Sequence, residues 1–421
     1  MAKVRTRFQS CETCGKLSHR SKFRSDCGIR PIPVSSRFKS EHISDNRYNA
    51  QTSKSNQGRT MNGKERMKTA LSLGQPDRVP HWELAYNESS VLGIAGHYTD
   101  DLPALDFIQR MTLENKIRLF EAALLVVREL DVDGLTLRPF PETRFIDEIR
   151  YVDDWGVTFQ LDRAGEATVR SGPVSDEADL KNFTPPKIKE SDLLGLAYAA
   201  EKIGDEKAVV LSLQCPFRRS WNILGGMQHL LIAYLQSPGL VHALARISTD
   251  YTLEAIELGI KLGADIISLD GDLAFNTNTI ISPHHFRKYI KPYYTEIVNY
   301  AHDRNTLIFK HTDGDHSKIT EDLLETGFNG IHPIQPQCLN IRDFKKKFGQ
   351  RVCIMGNIDC IKTLVSKGPK DVEEEVRKTI AVAAVGGAYI LSSSNTIHPG
   401  VKPENYIAMV QAAHKYGYYE N

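Results

Sequence analysis

What the chain has little of bounds it first. Its 53 Lys and Arg nearly cancel 52 Asp and Glu, and no nucleic-acid partner is expected from so even a balance. No apolar run in the 421 residues approaches the roughly 18 needed to span a bilayer. The start lacks the charged, apolar and small-residue series of a secretory signal, so a soluble cytoplasmic protein without a membrane partner is expected. Seven cysteines scattered over the full length make no disulfide framework and suit a reducing compartment. Cys215, Cys338, Cys353 and Cys360 are therefore expected as free thiols. No glycine-rich phosphate fingerprint follows the first strand-like run, which weighs against a dinucleotide-binding sheet.

The even balance conceals an asymmetry. Residues 1–60 hold 13 Lys or Arg against 4 Asp or Glu, leaving 40 against 48 for the remainder. This basic head is rich in Ser, Asn and Arg, has little apolar periodicity, and is expected to be disordered on its own. Three readings of it stay open: a small zinc site from Cys11, Cys14, His19 and Cys27, an organelle transit segment, or a dispensable extension. A helix start is expected at Met61, opening the main domain, 61–421.

From residue 79 onward, short β-branched or apolar runs alternate with helical stretches, the pattern of a parallel sheet covered by helices. Eight strands are expected at 79–85, 132–138, 208–215, 264–270, 306–312, 330–336, 351–358 and 388–394. Amphipathic helical segments are expected at 113–130, 226–262, 282–302, 318–326 and 370–385, several closed by a glycine such as Gly263, Gly327 or Gly386. Eight strand–helix units suit a (β/α)8 barrel, an α/β fold, better than an open sheet. One insertion, 139–186, interrupts the alternation after the second strand and reads as a β-hairpin over the face where barrel loops build sites.

The strand ends carry the chemistry. Glu83 ends the first run, Gln214 the third, Asp270 and Asp272 the fourth, His311 and Asp313 the fifth, Gln335 the sixth, Asn357 and Asp359 the seventh, and Asn395 the eighth. In a barrel these positions share one mouth. Taken singly, Asp270 and Asp272 could flank a capping turn, Asn357 could hold a tight turn, His332 reads as a core histidine bonded to a neighbour, and His414 as a helix-surface residue. Taken together they read as a site, with His311, Asp313 and Asp270 as catalytic groups. Glu83, Gln214, Asp272, Gln335, Asn357, Asp359 and Asn395 would orient substrate.

Several of these segments resemble the uroporphyrinogen decarboxylase superfamily. They are the 309–314 strand end, Asp270-Gly271-Asp272 followed by 281–286, Gly356-Asn357-Ile358-Asp359, the 403–406 helix start, and the opening 66–71 with Pro76-Asp77-Arg78-Val79-Pro80. The resemblance covers about residues 61–421 and implies a (β/α)8 barrel with its site at the C-terminal mouth. It further implies one of two activities: cofactor-free decarboxylation of a tetrapyrrole, or methyl transfer to or from cobalamin.

True decarboxylases of the superfamily carry an Arg-Gln-Ala-Gly-Arg-Tyr segment after the first strand, where cations meet substrate carboxylates. This chain has His81-Trp82-Glu83-Leu84-Ala85-Tyr86-Asn87 there, and Arg138, Arg218 and Arg219 would have to replace the clamp. The methyltransferase branch is favoured on that ground. Its thiol-methylating members hold zinc through a His-x-Cys pair and a second cysteine; this chain keeps His311 but has Asp313, and Asn395 near the second position. Zinc is therefore not expected, and any metal would have oxygen-rich ligation from His311, Asp313 and Glu83. A corrinoid-linked methyltransferase is the expectation, taking a small methyl donor or acceptor and cobalamin carried by a corrinoid protein, with homodimerisation open. A noncatalytic corrinoid- or tetrapyrrole-binding barrel is a third reading.

Overall fold

The computed structural model describes residues 60–163 and 165–419. The chain divides into two units between Gln57 and Gly58, and the readings of the basic head fall outside the described residues. In the second unit, seven parallel strands run side by side in chain order: Gly134–Leu137, Ala208–Gln214, Ile266–Asp270, Leu307–His311, Gly330–His332, Cys353–Met355 and Tyr389–Ile390. Fifteen α-helices are found among the described residues. The 113–130 segment forms Leu113–Glu129, and the 370–385 segment forms Pro369–Ala383.

The expected first strand, 79–85, is the exception. It meets the last strand through a single parallel bridge, His81 to Leu391. Trp82 N–H donates to Leu391 O, Leu391 N–H to Pro80 O, and Asp133 N–H to His81 O. The segment thus lies between the first and last strands and closes the barrel without becoming a regular strand. Pro80 has no N–H to give, which shortens the ladder.

Alternation along the strands separates two cores. Ala208, Val210, Ile266, Phe309, Cys353, Met355 and Ile390 form one cluster with Trp82 and Leu84, joined by Met67, Ala70 and Leu71 of helix Gly63–Leu71. Val209, Leu211, Ile267, Ile308, Ile331 and Ile354 belong to the larger cluster that includes the outer helices. Helix Gly63–Leu71 starts where Asn62 Oδ1 accepts Glu65 N–H while the Glu65 carboxylate accepts Asn62 N–H, a reciprocal cap.

Two expected helices are divided. The 226–262 segment forms Met227–Gln236 and Pro238–Lys261, and 282–302 forms Pro283–Tyr289 and Lys291–His302. Pro238 and Pro292 stand in the first turn of the second helix of each pair, where their missing N–H costs no helical bond. The insertion also exceeds the expected hairpin. Thr158–Leu161 and Ala167–Ser171 pair antiparallel, and Arg150–Val152 and Arg144–Phe145 extend them to a four-stranded sheet. Tyr151 stacks on Phe159, and Trp155 packs edge-on against Tyr251 of helix Pro238–Lys261, seating the insertion on the barrel.

Candidate functional site

Register assembles the site. Gln214 pairs with Asp270, Asp270 with His311, and His311 with His332 across four consecutive strands. Paired positions share a side of the sheet, so these residues form one row across the strand ends. Lys310, the preceding residue, is fully buried. Its ammonium donates to the carbonyls of Leu269 (3.2 Å), Gly271 (2.6 Å) and His311, fixing the ends of two neighbouring strands. Gly271 and Gly314 make the turns beyond them at φ +147° and +85°. A Cβ at Gly271 would lie 2.6 Å from Cys215 Sγ, and one at Gly314 2.5 Å from Phe275 O, so both turns demand glycine.

Three carboxylates surround the His311 ring. Nε2 lies 3.8 Å from Asp270, 3.9 Å from Asp272 and 3.9 Å from Asp313. Asp270 is also tied to Arg138 at 3.0 Å. Asp272 Oδ1 accepts the Asp313 N–H, and Asn395 donates its amide to Asp313 Oδ2. Asp313 Oδ1 is buried without a hydrogen-bond partner among the described residues. Burial, reinforced by Asp272 and Asp270, holds Asp313 well above the usual carboxylate range. Burial pushes Asp270 the same way, but Arg138, His311, Lys310 and Arg218 prevail and keep it below.

The histidine tautomers follow from the hydrogen-bond chain. Ser392 Oγ–H donates to Ser393 O, so Ser392 Oγ accepts from His332 Nε2–H at 3.0 Å. His332 Nδ1 is then the acceptor in its 2.9 Å contact with His311 Nδ1, which donates. Burial keeps both rings below the ordinary histidine range, and thus neutral. The His311 Nε2 lone pair is left facing the three carboxylates. Asp272, His311 and Asp313 each offer a ligand atom within 4.8 Å of the others, a hard donor set suited to a divalent cation.

Glu83 lies elsewhere than the expected ligand set had it. It is buried, accepts from Ser393 N–H (3.0 Å) and Oγ–H (2.6 Å), and sits 3.7 Å from His81 Nε2. Burial, opposed by these bonds, raises it to about 8. Asp272 takes the third place in the cluster, because Asp270-Gly271-Asp272 wraps over the end of the neighbouring strand. Gln335 accepts Gly314 N–H at 2.8 Å and lines a cavity of ≈ 290 Å³ with Asp313 and Asn395. Gln214 accepts from Asn222 and lines a second cavity, of ≈ 160 Å³, with Asp270 and Arg138. A third, of ≈ 350 Å³, adjoins them at Arg138 and Glu166.

Asn357 and Asp359 serve the backbone. Asn357 donates to Ile334 O at 2.6 Å, and Asp359 accepts the N–H groups of Ile361 and Lys362. Sequence reasoning gave no role at the mouth to His332, whose direction within a three-residue strand only the register reveals. It also left Lys310 unassigned, although an apolar strand carrying one lysine signals a buried ammonium in need of carbonyls. His414 is half-buried with Nε2 partnerless among the described residues, so it is not a plain surface residue.

A family model described as "Uroporphyrinogen decarboxylase (URO-D)" matches residues 63–416. Among curated proteins, the chain is 24% identical over 313 residues to a uroporphyrinogen decarboxylase of Pseudoalteromonas atlantica, covering 70% of this chain and 82% of that protein. It is 22% identical over 381 residues to the enzyme of that name from Idiomarina loihiensis, covering 84% and 96%. Among solved structures, a methyltransferase from Methanosarcina mazei superposes with TM-score 0.67 at 18% identity, covering 85% of this chain and 99% of that one. That likeness carries the barrel fold.

Proposed function

The chain belongs to the uroporphyrinogen decarboxylase family, and from that premise we propose that it is a corrinoid-linked methyltransferase of the family. It would move a methyl group between a small compound and cobalamin held by a partner protein. One observation carries the reading: the mouth presents Asp270, Asp272 and Asp313 around a neutral histidine. A polyanionic porphyrinogen would meet repulsion there, whereas a heteroatom losing or gaining a methyl cation needs this kind of help.

The residues fit a metal ion. Asp313 Oδ1 is partnerless, the His311 Nε2 lone pair is free, and among the described residues neither Asp272 nor Asp313 has a lysine or arginine ion pair, whereas Asp270 has Arg138. His311, Asp272 and Asp313 would hold a divalent cation, which would supply Lewis acidity toward the substrate heteroatom. His332 and Ser392 orient His311 from behind, and Asn395 orients Asp313. Without the ion, burial and the neighbouring carboxylates favour the protonated form of Asp313, which can donate to the heteroatom, while His311 Nε2 can accept. The corrinoid supplies the partner of the methyl group in the transfer. At ≈ 350, 160 and 290 Å³, the three cavities are of small-ligand size or below, so the macrocycle would be presented over the mouth by its carrier.

The test pairs elemental analysis with a spectrum. Purified protein is expected to retain a divalent metal that His311→Ala loses, and to change the absorption of a methylated corrinoid protein when a methyl acceptor is supplied. An unchanged corrinoid spectrum with every donor and acceptor tried would reject the reading. The relatives named as decarboxylases favour a second reading, tetrapyrrole decarboxylation, for which Arg138, Arg218 and Arg219 are the available cations. Turnover of uroporphyrinogen by the same preparation would establish it instead.

A further inference from the structure

Arg219 is a buried arginine that makes no ion pair among the described residues. It is 8% exposed, and its guanidinium carbon lies 4.5 Å from the Trp155 ring centroid and 4.4 Å from that of Tyr251. Contact with two aromatic faces leaves the in-plane donors of the fork free. Among the described residues its side chain makes no hydrogen bond and no ion pair within 4 Å, and Nε is buried and partnerless. The other deeply buried arginines behave differently: Arg66 bonds Asp77 and Asp133, and Arg78 bonds Asp131 and Asp133. Asp153 and Asp154 act on the guanidinium through space but make no ion pair with it within 4 Å; a buried guanidinium so under-compensated is costly, and a ligand anion would offset that cost.

Arg219 lines the ≈ 160 Å³ cavity with Arg138, Gln214, Ser212, Trp155 and Asp270. Ser212 Oγ is likewise buried without a partner. Two acids also line the cavity, and each has hydrogen-bond partners other than Arg219. Asp153 Oδ1 accepts the N–H groups of Trp155 and Val157, and Asp270 is bonded to Arg138. Asp270 is the shared wall, 3.8 Å from His311 Nε2 on its other side.

We propose that Arg219 seats the carboxylate of the substrate, which is a small methylated carboxylic acid lying between this cavity and the His311 cluster. The inference rests on the reading of the mouth as a methyl-transfer site and adds the substrate class. Size agrees with it: an engineered cavity of about 150 Å³ takes up benzene, so this one has room for a compact acid and none for a macrocycle. The fork offers a bidentate grip on a carboxylate, with Ser212 Oγ placed to add a further hydrogen bond.

The test is calorimetric titration of the full-length protein, as purified and after chelation, with benzoate and its neutral isostere benzamide. Benzoate is expected to bind at least about tenfold more tightly, the worth of one charge-assisted contact, in both preparations, and to raise the melting temperature. Arg219→Met is expected to erase the preference. Arg219→Lys keeps the charge but not the fork, and is expected to retain the wild-type melt and only part of the preference, so a misfolded Met variant does not end the test. Equal binding of the two probes, no binding of either, or an undiminished preference in a folded Arg219 variant overturns the proposal. No corrinoid enters the measurement, so failure of methyl transfer and failure of carboxylate recognition are read separately.

Discussion

Two charge clusters lie at opposite ends of the barrel strands, and they are built on opposite terms. At the strand starts, Asp133 is wholly buried and accepts from Arg66, Arg78 and the His81 N–H, while Asp77 and Asp131 take the remaining guanidinium donors. Every charge there has an opposite within 3.1 Å. At the strand ends, three carboxylates gather around a neutral histidine, one carboxylate oxygen is partnerless, and Arg219 makes no ion pair among the described residues. A closed network of this kind holds a fold together. An open one costs stability and is kept where a ligand completes it. Barrels divide stability and chemistry between the same two faces.

The comparison breaks first at Asp133. Asp133→Ala strands two buried arginines and is expected to cost about 3–5 kcal/mol, read as a lowered denaturation midpoint; a loss below 1 kcal/mol would erase the distinction between the two ends. Asp313→Asn removes a carboxylate that has too few partners, so its melt is expected to equal or exceed that of the wild type while turnover falls about 100-fold. A destabilised Asp313→Asn would mean that the mouth, too, is structural. His332→Ala releases His311 from behind, and metal retention is expected to fall about 10- to 100-fold, with His311 itself intact.

The smallest effect is a pH dependence. Glu83, at about 8 when folded against the ordinary 4.5 of a glutamate carboxyl, binds its proton more tightly in the native state. Between those values the folded chain holds the extra proton, so this group's contribution declines as pH rises through 8. His81, depressed to about 3 by burial, His414 and Arg78, acts in the other direction and only below pH 6.5. Glu83→Gln is therefore expected to flatten the fall in melting temperature between pH 6.5 and 8, the part of the Glu83 window in which His81 does not act. A wild-type slope retained between pH 6.5 and 8 in the variant would remove Glu83 from the account.

Much of the architecture could be read from the chain because parallel strands buried on both sides are continuous apolar runs, as in 208–211 and 352–355. The strand closing the barrel could not, since Pro80 interrupts a ladder whose length no local pattern specifies. For the candidate site, the strand ends His311, Asp270 and Gln335 stood out as abrupt changes from apolar to ionisable residues. The cluster's membership did not: whether Glu83 or Asp272 reaches His311 depends on how the turn at Gly271 folds, and that is set by packing against Cys215 and Arg218. Arg219 escaped notice as more than a spare cation because an arginine in a short helix ordinarily faces water. Its surroundings come from Trp155 and Tyr251, which are 64 and 32 residues away in sequence.

The antiparallel insertion has a consequence for how such a protein can change its habits. Arg219, Ser212 and Tyr251 belong to the barrel, whereas Trp155 and Asp153 arrive from the four-stranded sheet. One wall of the small cavity is therefore a module joined to the body at two chain crossings, which supplies none of the His311 row and reaches the Asp313 cavity through Glu166. Exchange of that module between relatives can retune which acid is accepted while leaving the reacting groups untouched. Selection can then act on appetite and on chemistry as separate traits.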